Sequence, residues 1–92
     1  MMKVIKDNVN KSIDEIIDLL KDENFDFVKV EGVFESEYGI VEQYTCQNGI
    51  EIYFVYFKLK ENKVEKIMFD KEFAESNNKT IYDKIEQVLS KL

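Results

Sequence analysis

The pattern of apolar and polar positions changes period twice along the chain. From about residue 9 to 22, Ile13, Ile16, Ile17 and Leu20 stand at i, i+3, i+4 and i+7, one face of an α-helix, with Asp14, Glu15, Asp18 and Asp22 on the other side. Asn8 and Asn10 are candidate N-caps, and Ser12 with Glu15 three residues on also fits a capping box. From Phe25 to Phe69 the period becomes two and aromatic and β-branched residues dominate, which predicts strands. Turn signals at Ser36-Glu37-Tyr38-Gly39, Asn48-Gly49 and Lys60-Glu61-Asn62-Lys63 divide this stretch into four strands, about 27–35, 40–47, 50–59 and 64–69. Helical spacing returns at Ile81, Ile85, Val88, Leu89 and Leu92, capped by Asn77 or Asn78. The polar loop 70–77 before it has room for one helical turn at Phe73 and Ala74.

Short connections make the sheet an antiparallel meander. The expected fold is α+β in the order α-β-β-β-β-α, with both helices packed on one face of a four-stranded sheet. No linker, repeat or low-complexity tract interrupts the 92 residues, so residues 1–92 read as a single domain.

Turn geometry sorts the strand residues onto two faces. A two-residue loop at Asn48-Gly49 sets Thr45 opposite Ile52, Gln43 opposite Phe54 and Val41 opposite Tyr56. On the other face it sets Tyr44 opposite Tyr53, Cys46 opposite Glu51 and Glu42 opposite Val55. A Glu61-Asn62 turn adds Ile67 and Phe69 to the first face, which then holds Val28, Val30, Phe34, Val41, Ile50, Ile52, Phe54 and Tyr56 as well and is expected to receive the helices. The second face mixes Glu31, Glu35, Glu42 and Glu51 with Tyr44, Tyr53, Val55, Phe57, Leu59 and Met68. So much aromatic area left uncovered implies a partner surface or a further packing layer. Gly32, inside the first strand, marks a bulge or a close backbone approach.

Composition narrows the chemistry. There is no His and no Arg, and one Cys. The commonest general base and metal ligand is therefore missing, as are bidentate phosphate clamps and any internal disulfide. Cys46 has no His to activate it and reads as a packed strand residue. Asp14 and Asp18, one turn apart, are better read as a solvated helix face than as a cation site. A catalytic role, a metal and a cofactor are all unexpected. The start Met1-Met2-Lys3-Val4-Ile5-Lys6-Asp7 lacks a signal-peptide apolar core and no apolar run reaches membrane-spanning length, so a cytoplasmic location is expected.

The net charge of −6 is unevenly placed. Residues 1–11 carry three Lys and one Asp, and residues 58–92 carry eight Lys and seven acids. Residues 12–57 hold eleven acids against Lys21 and Lys29, a local charge of −9. Such a patch steers association with a basic protein surface, and where that surface normally grips a nucleic-acid backbone its carboxylates occupy the place of phosphates. Direct nucleic-acid binding is disfavoured by the missing Arg and the dispersed Lys, and stacking on Tyr44 and Tyr53 by their glutamate neighbours.

In size, charge and simplicity of fold the chain resembles the small acidic inhibitors that mobile elements direct at nucleic-acid machinery, anti-CRISPR and antirestriction proteins among them. No residue role follows from that resemblance. The expected function is a non-catalytic inhibitor whose acidic hairpin surface occludes a basic site on a target protein. Its contacts are Glu31, Glu35, Glu42, Glu51, Tyr44 and Tyr53, with Asp14 and Asp18 secondary. The alternatives are a structural subunit or homodimer built on Val55, Phe57, Leu59 and Met68, and a toxin-immunity protein.

Overall fold

The computed structural model describes residues 1–49, 51–70 and 79–92, with backbone alone at residues 27, 30, 31, 48, 51–53 and 79–81. Its elements are β1 (Met2–Lys6), α1 (Ile13–Asp22), β2 (Asp26–Ser36), β3 (Gly39–Asn48), β4 (Glu51–Lys60), β5 (Lys63–Asp70) and α2 (Lys79–Leu89). The four expected strands are present within one residue at each end. The cap residues Asn77 and Asn78, and the turn at Phe73 and Ala74, lie outside the described residues.

The fold is α+β, but the sheet has five antiparallel strands in the order β1-β5-β4-β3-β2. The added strand is the N-terminal segment, which pairs Lys3 with Phe69 and Val4 with Met68 along the edge of β5. Five residues with one apolar pair carry no alternation of their own; pairing with a preformed edge holds this strand.

Helix α1 starts later than the periodicity suggests. Asn8 and Asn10 both adopt left-handed φ (52° and 54°), and Val9 and Asn10 donate their amides to the carbonyls of Glu65 and Val64. The capping box closes instead at Ser12, whose hydroxyl accepts the Glu15 amide at 3.2 Å.

The turns correct the face assignment. Asn48 pairs with Glu51, and every partner moves by two: Thr45 faces Phe54, Tyr44 faces Val55, and Cys46 faces Tyr53. A shift of two preserves the faces. Glu61 and Asn62 form the expected β4–β5 turn, both at positive φ. Just beyond it, Lys58 pairs with Lys66 but Leu59 with Val64, leaving Glu65 as an extra residue. This single-residue bulge inverts the rest of β5. Ile67 now lies opposite Phe57, and Met68 opposite Tyr56.

The apolar majority moves with it. The face of Tyr44, Cys46, Val55, Phe57, Ile67 and Phe69 forms one buried cluster with Ile16 and Leu20 of α1 and with Tyr82, Ile85, Val88 and Leu89 of α2. Both described helices therefore cover the face expected to be open, and among the described residues the face expected to be covered carries none. Each of the larger side chains in that cluster contributes roughly 1.5–3 kcal/mol by leaving water.

The sheet is strongly coiled. An eleven-residue strand such as β2 would be about 36 Å long if straight, more than the 32 Å greatest extent of the molecule. The bend falls between Lys29 and Val33, where β2 carries extra residues relative to β3 and Gly32 takes φ 126°. Beyond the bend, the tip of the β2–β3 hairpin curls over the helix-free face to the opposite edge. There the Met2 amide donates to the Glu37 carboxylate, and the Lys66 ammonium lies 5.8 Å from the centre of the Tyr38 ring. This buries Val41 and Met68 on a side that no helix reaches.

Candidate protein-binding surface

A ten-residue helix is about 15 Å long, less than half the length of a ten- or eleven-residue strand. Helix α1 therefore covers only part of the β2–β3 hairpin on its own side. The uncovered part presents Val33 and Ile40, each 64% exposed. Val33 pairs with Glu42 and Ile40 with Glu35, so both apolar residues are bracketed by carboxylates on one face.

Glu42 is already engaged within the chain. It accepts a hydrogen bond from Lys29 Nζ at 2.9 Å and one from the Tyr44 hydroxyl at 3.4 Å. That contact pushes the Lys29 ammonium above its usual range. Burial, aided by the negative charges of Glu42 and Asp14, pushes the Tyr44 phenol up. Asp14 of α1 is thus near enough for its charge to act on the Tyr44 phenol.

Tyr44 itself is not the exposed anchor that the sequence suggests. Its ring is 4% exposed and packs 5.0 Å from Phe57 inside the core, with the hydroxyl alone reaching the rim. The exchange of faces explains this, since the Tyr44 side is the one the helices cover. It also buries Val55 and Phe57 of the surface expected for a homodimer and packs Leu59 against the core, while Met68 moves to the other face and is buried there.

Of the remaining expected contacts, Glu35, Asp14 and Asp18 are exposed and have no ion pair among the described residues. The side chains of Glu31, Glu51 and Tyr53 lie outside the described residues. Sequence reasoning missed the exposure of Val33 and Ile40. The mismatch between a ten-residue helix and a longer hairpin was the signal that shows it.

Cys46 is fully buried, and burial together with the charge of Asp26 pushes its thiol up to about 12. A cleft of about 390 Å³ lies beside the β4–β5 turn, lined by Asn8, Asn10, Lys60, Glu61, Lys63, Val64 and Glu65. Among the described residues no three His, Cys, Asp or Glu converge as metal ligands, and no helix is long and apolar enough to cross a membrane. Comparison with protein-family models, curated proteins and solved structures finds no match.

Proposed function

We propose that the protein is a non-catalytic binding domain that acts in the cytoplasm by docking its acidic flank onto a basic surface of another protein. The observation that carries this reading is the exposure of Asp14 and Asp18 on α1 and of Glu35 beside Val33 and Ile40 on the β2–β3 hairpin, none of the three carboxylates having an ion pair among the described residues. The carboxylates steer a Lys- or Arg-rich surface into place, and the two aliphatic side chains supply area that is desolvated on contact. Glu42 holds the hairpin in shape through Lys29 rather than meeting the partner directly. An inhibitor of nucleic-acid machinery of the anti-CRISPR or antirestriction type, or a toxin-immunity protein, fits the same surface. In each case the target offers cations where this chain offers carboxylates.

The test is affinity capture from the source cells with the wild-type protein and with an Asp14→Lys, Asp18→Lys, Glu35→Lys variant, each at low and high salt. The expected result is a protein captured by the wild type at low salt and lost both at high salt and with the variant. Capture that survives the triple reversal, in a variant that melts like the wild type, would falsify this reading.

A further inference from the structure

The helix-free sheet face has a composition of its own. From β2 to β5 its described positions include Val28 and Phe34, Gln43, Thr45 and Gln47, Phe54 and Tyr56, and Lys58 and Lys66. Phe34 is 42% exposed and Phe54 46%, although both are large aromatic side chains. Phe34 meets Tyr56 edge-to-face at 6.4 Å, and the Tyr56 hydroxyl accepts a hydrogen bond from Gln43 Nε2 at 2.9 Å. Phe34 is thus braced by Tyr56, and both Phe34 and Phe54 keep an exposed side. Polar amide and hydroxyl groups fill the row between them.

Lysines crowd one end of this face. Lys58 is cross-strand partner to Lys66, and Lys60 to Lys63. Like charges directly opposite each other oppose strand pairing, so the hairpin keeps an arrangement that favours an anion close by. Asp7 answers Lys66 at 2.8 Å. Lys58, Lys60 and Lys63 have no ion pair among the described residues. The carboxylates of this side include Asp26, Asp70, Asp7 and Glu37; the charge of Asp70 reaches the Tyr56 phenol, and that of Glu65 at the bulge reaches Lys66.

We infer that this face binds single-stranded nucleic acid. Exposed rings on an open sheet face stack unpaired bases, side-chain amides and hydroxyls meet base edges, and flanking lysines meet the phosphates. Phe54 and Phe34 are the stacking platforms, Thr45 and Gln47 the polar contacts, and Lys58, Lys60 and Lys63 the phosphate contacts. Glu35 and Glu42, which flanked the tyrosines in the sequence reading, belong to the other face of the sheet, while Asp26, Asp70, Asp7 and Glu37 remain on this side. A single strand is favoured over a duplex because paired bases offer no ring face to stack on.

The test is fluorescence anisotropy with labelled oligothymidine and oligouridine of about 12 nucleotides, within the usual site size of such folds, and with a duplex of equal length. Single strands are expected to bind more tightly than duplex, and binding to weaken as salt rises. Phe54→Ala and Phe34→Ala should each weaken binding roughly five- to a hundredfold, while Phe54→Trp retains it. The Lys60→Glu, Lys63→Glu variant should flatten the salt dependence. Circular dichroism of Phe54→Ala and of the lysine variant, whose sites are surface positions, checks that the fold survives. Absence of binding overturns the inference, as does equal affinity for duplex or an unchanged affinity in Phe54→Ala. A dimer that Phe54→Ala dissociates, with no oligonucleotide bound, overturns it in favour of a second copy of this chain.

Discussion

Phe57 and Phe54 stand three residues apart on β4 and leave the strand on opposite faces. Phe57 is fully buried against Tyr44 beneath the helices, whereas Phe54 is 46% exposed. Their chemistry is the same, so the difference comes from what covers each face. On one side Ile67 and Phe69 of β5 join Val55 and Phe57 and give α1 and α2 a continuous apolar surface. On the other the same strand presents Met68 and Lys66, and among the described residues the cover is the curled tip of the β2–β3 hairpin. Side-chain identity along β4 does not choose the buried face; the neighbour's register does.

That comparison breaks most completely with one residue inserted between Lys66 and Ile67. With the Glu65 bulge kept, the insertion carries Ile67 and Phe69 to the open face, whereas deleting Glu65 leaves Lys58 paired with Lys66 and Phe57 with Ile67. Losing the burial of both side chains removes roughly 3–6 kcal/mol, comparable with the whole stability of a small domain, about 5–15 kcal/mol. The expected outcome is a protein with no cooperative thermal unfolding, read by circular dichroism. A near-native melt would mean that the strand absorbs the slip elsewhere and that the register does not sort the faces.

A second prediction sharpens the contrast without changing register. Phe57→Ala leaves a cavity under the helices and should destabilise by about 3–5 kcal/mol. Phe54→Ala removes a half-exposed ring and should cost less than about 1 kcal/mol. Urea midpoints at constant slope give both values. Similar losses at the two sites would show that the open face carries as much of the core as the helical one.

These two sites also mark where sequence reasoning stops. Strand positions and both helices were legible, because period, capping residues and turn residues are local: Ser12 with Glu15, Gly39, and Glu61-Asn62 act over a few residues each. The fifth strand was not, since Met2–Lys6 is held by pairing with the distant β5 edge. The buried face was not legible either. Nothing in Val64-Glu65-Lys66 announces a bulge, because all three fit an ordinary alternating strand, and one extra residue reverses every assignment beyond it. At the candidate site, the clustering of acid was readable from the chain. The burial of Tyr44 and the recruitment of Glu42 by Lys29 followed from the face inversion, and so they were not.

The smallest expected effect tests how the open face is pinned at its lysine corner. Hydrogen bonding from Lys66, joined by the Asn8 amide, holds the Asp7 carboxyl below its usual 3.8, and the same contact lifts the Lys66 ammonium above 10.5. A depressed carboxylate contributes stability that is present above the unfolded value and lost as pH falls through the folded one. The contribution of Asp7 should therefore be complete by about pH 5 and vanish toward about pH 2. Melting curves of the wild type and Asp7→Asn should separate slightly at mild pH and converge in acid. The separation is modest because the pair is at the surface and shrinks further in salt. Curves that stay parallel to the lowest pH would assign the difference to lost packing rather than to charge. Asp7→Asn also leaves Lys66 without its carboxylate, beside Lys58 on the open face. The same substitution should thus lower the melting temperature and tighten oligonucleotide binding, by an amount that high salt abolishes. A merely structural role for the pair moves only the first of these.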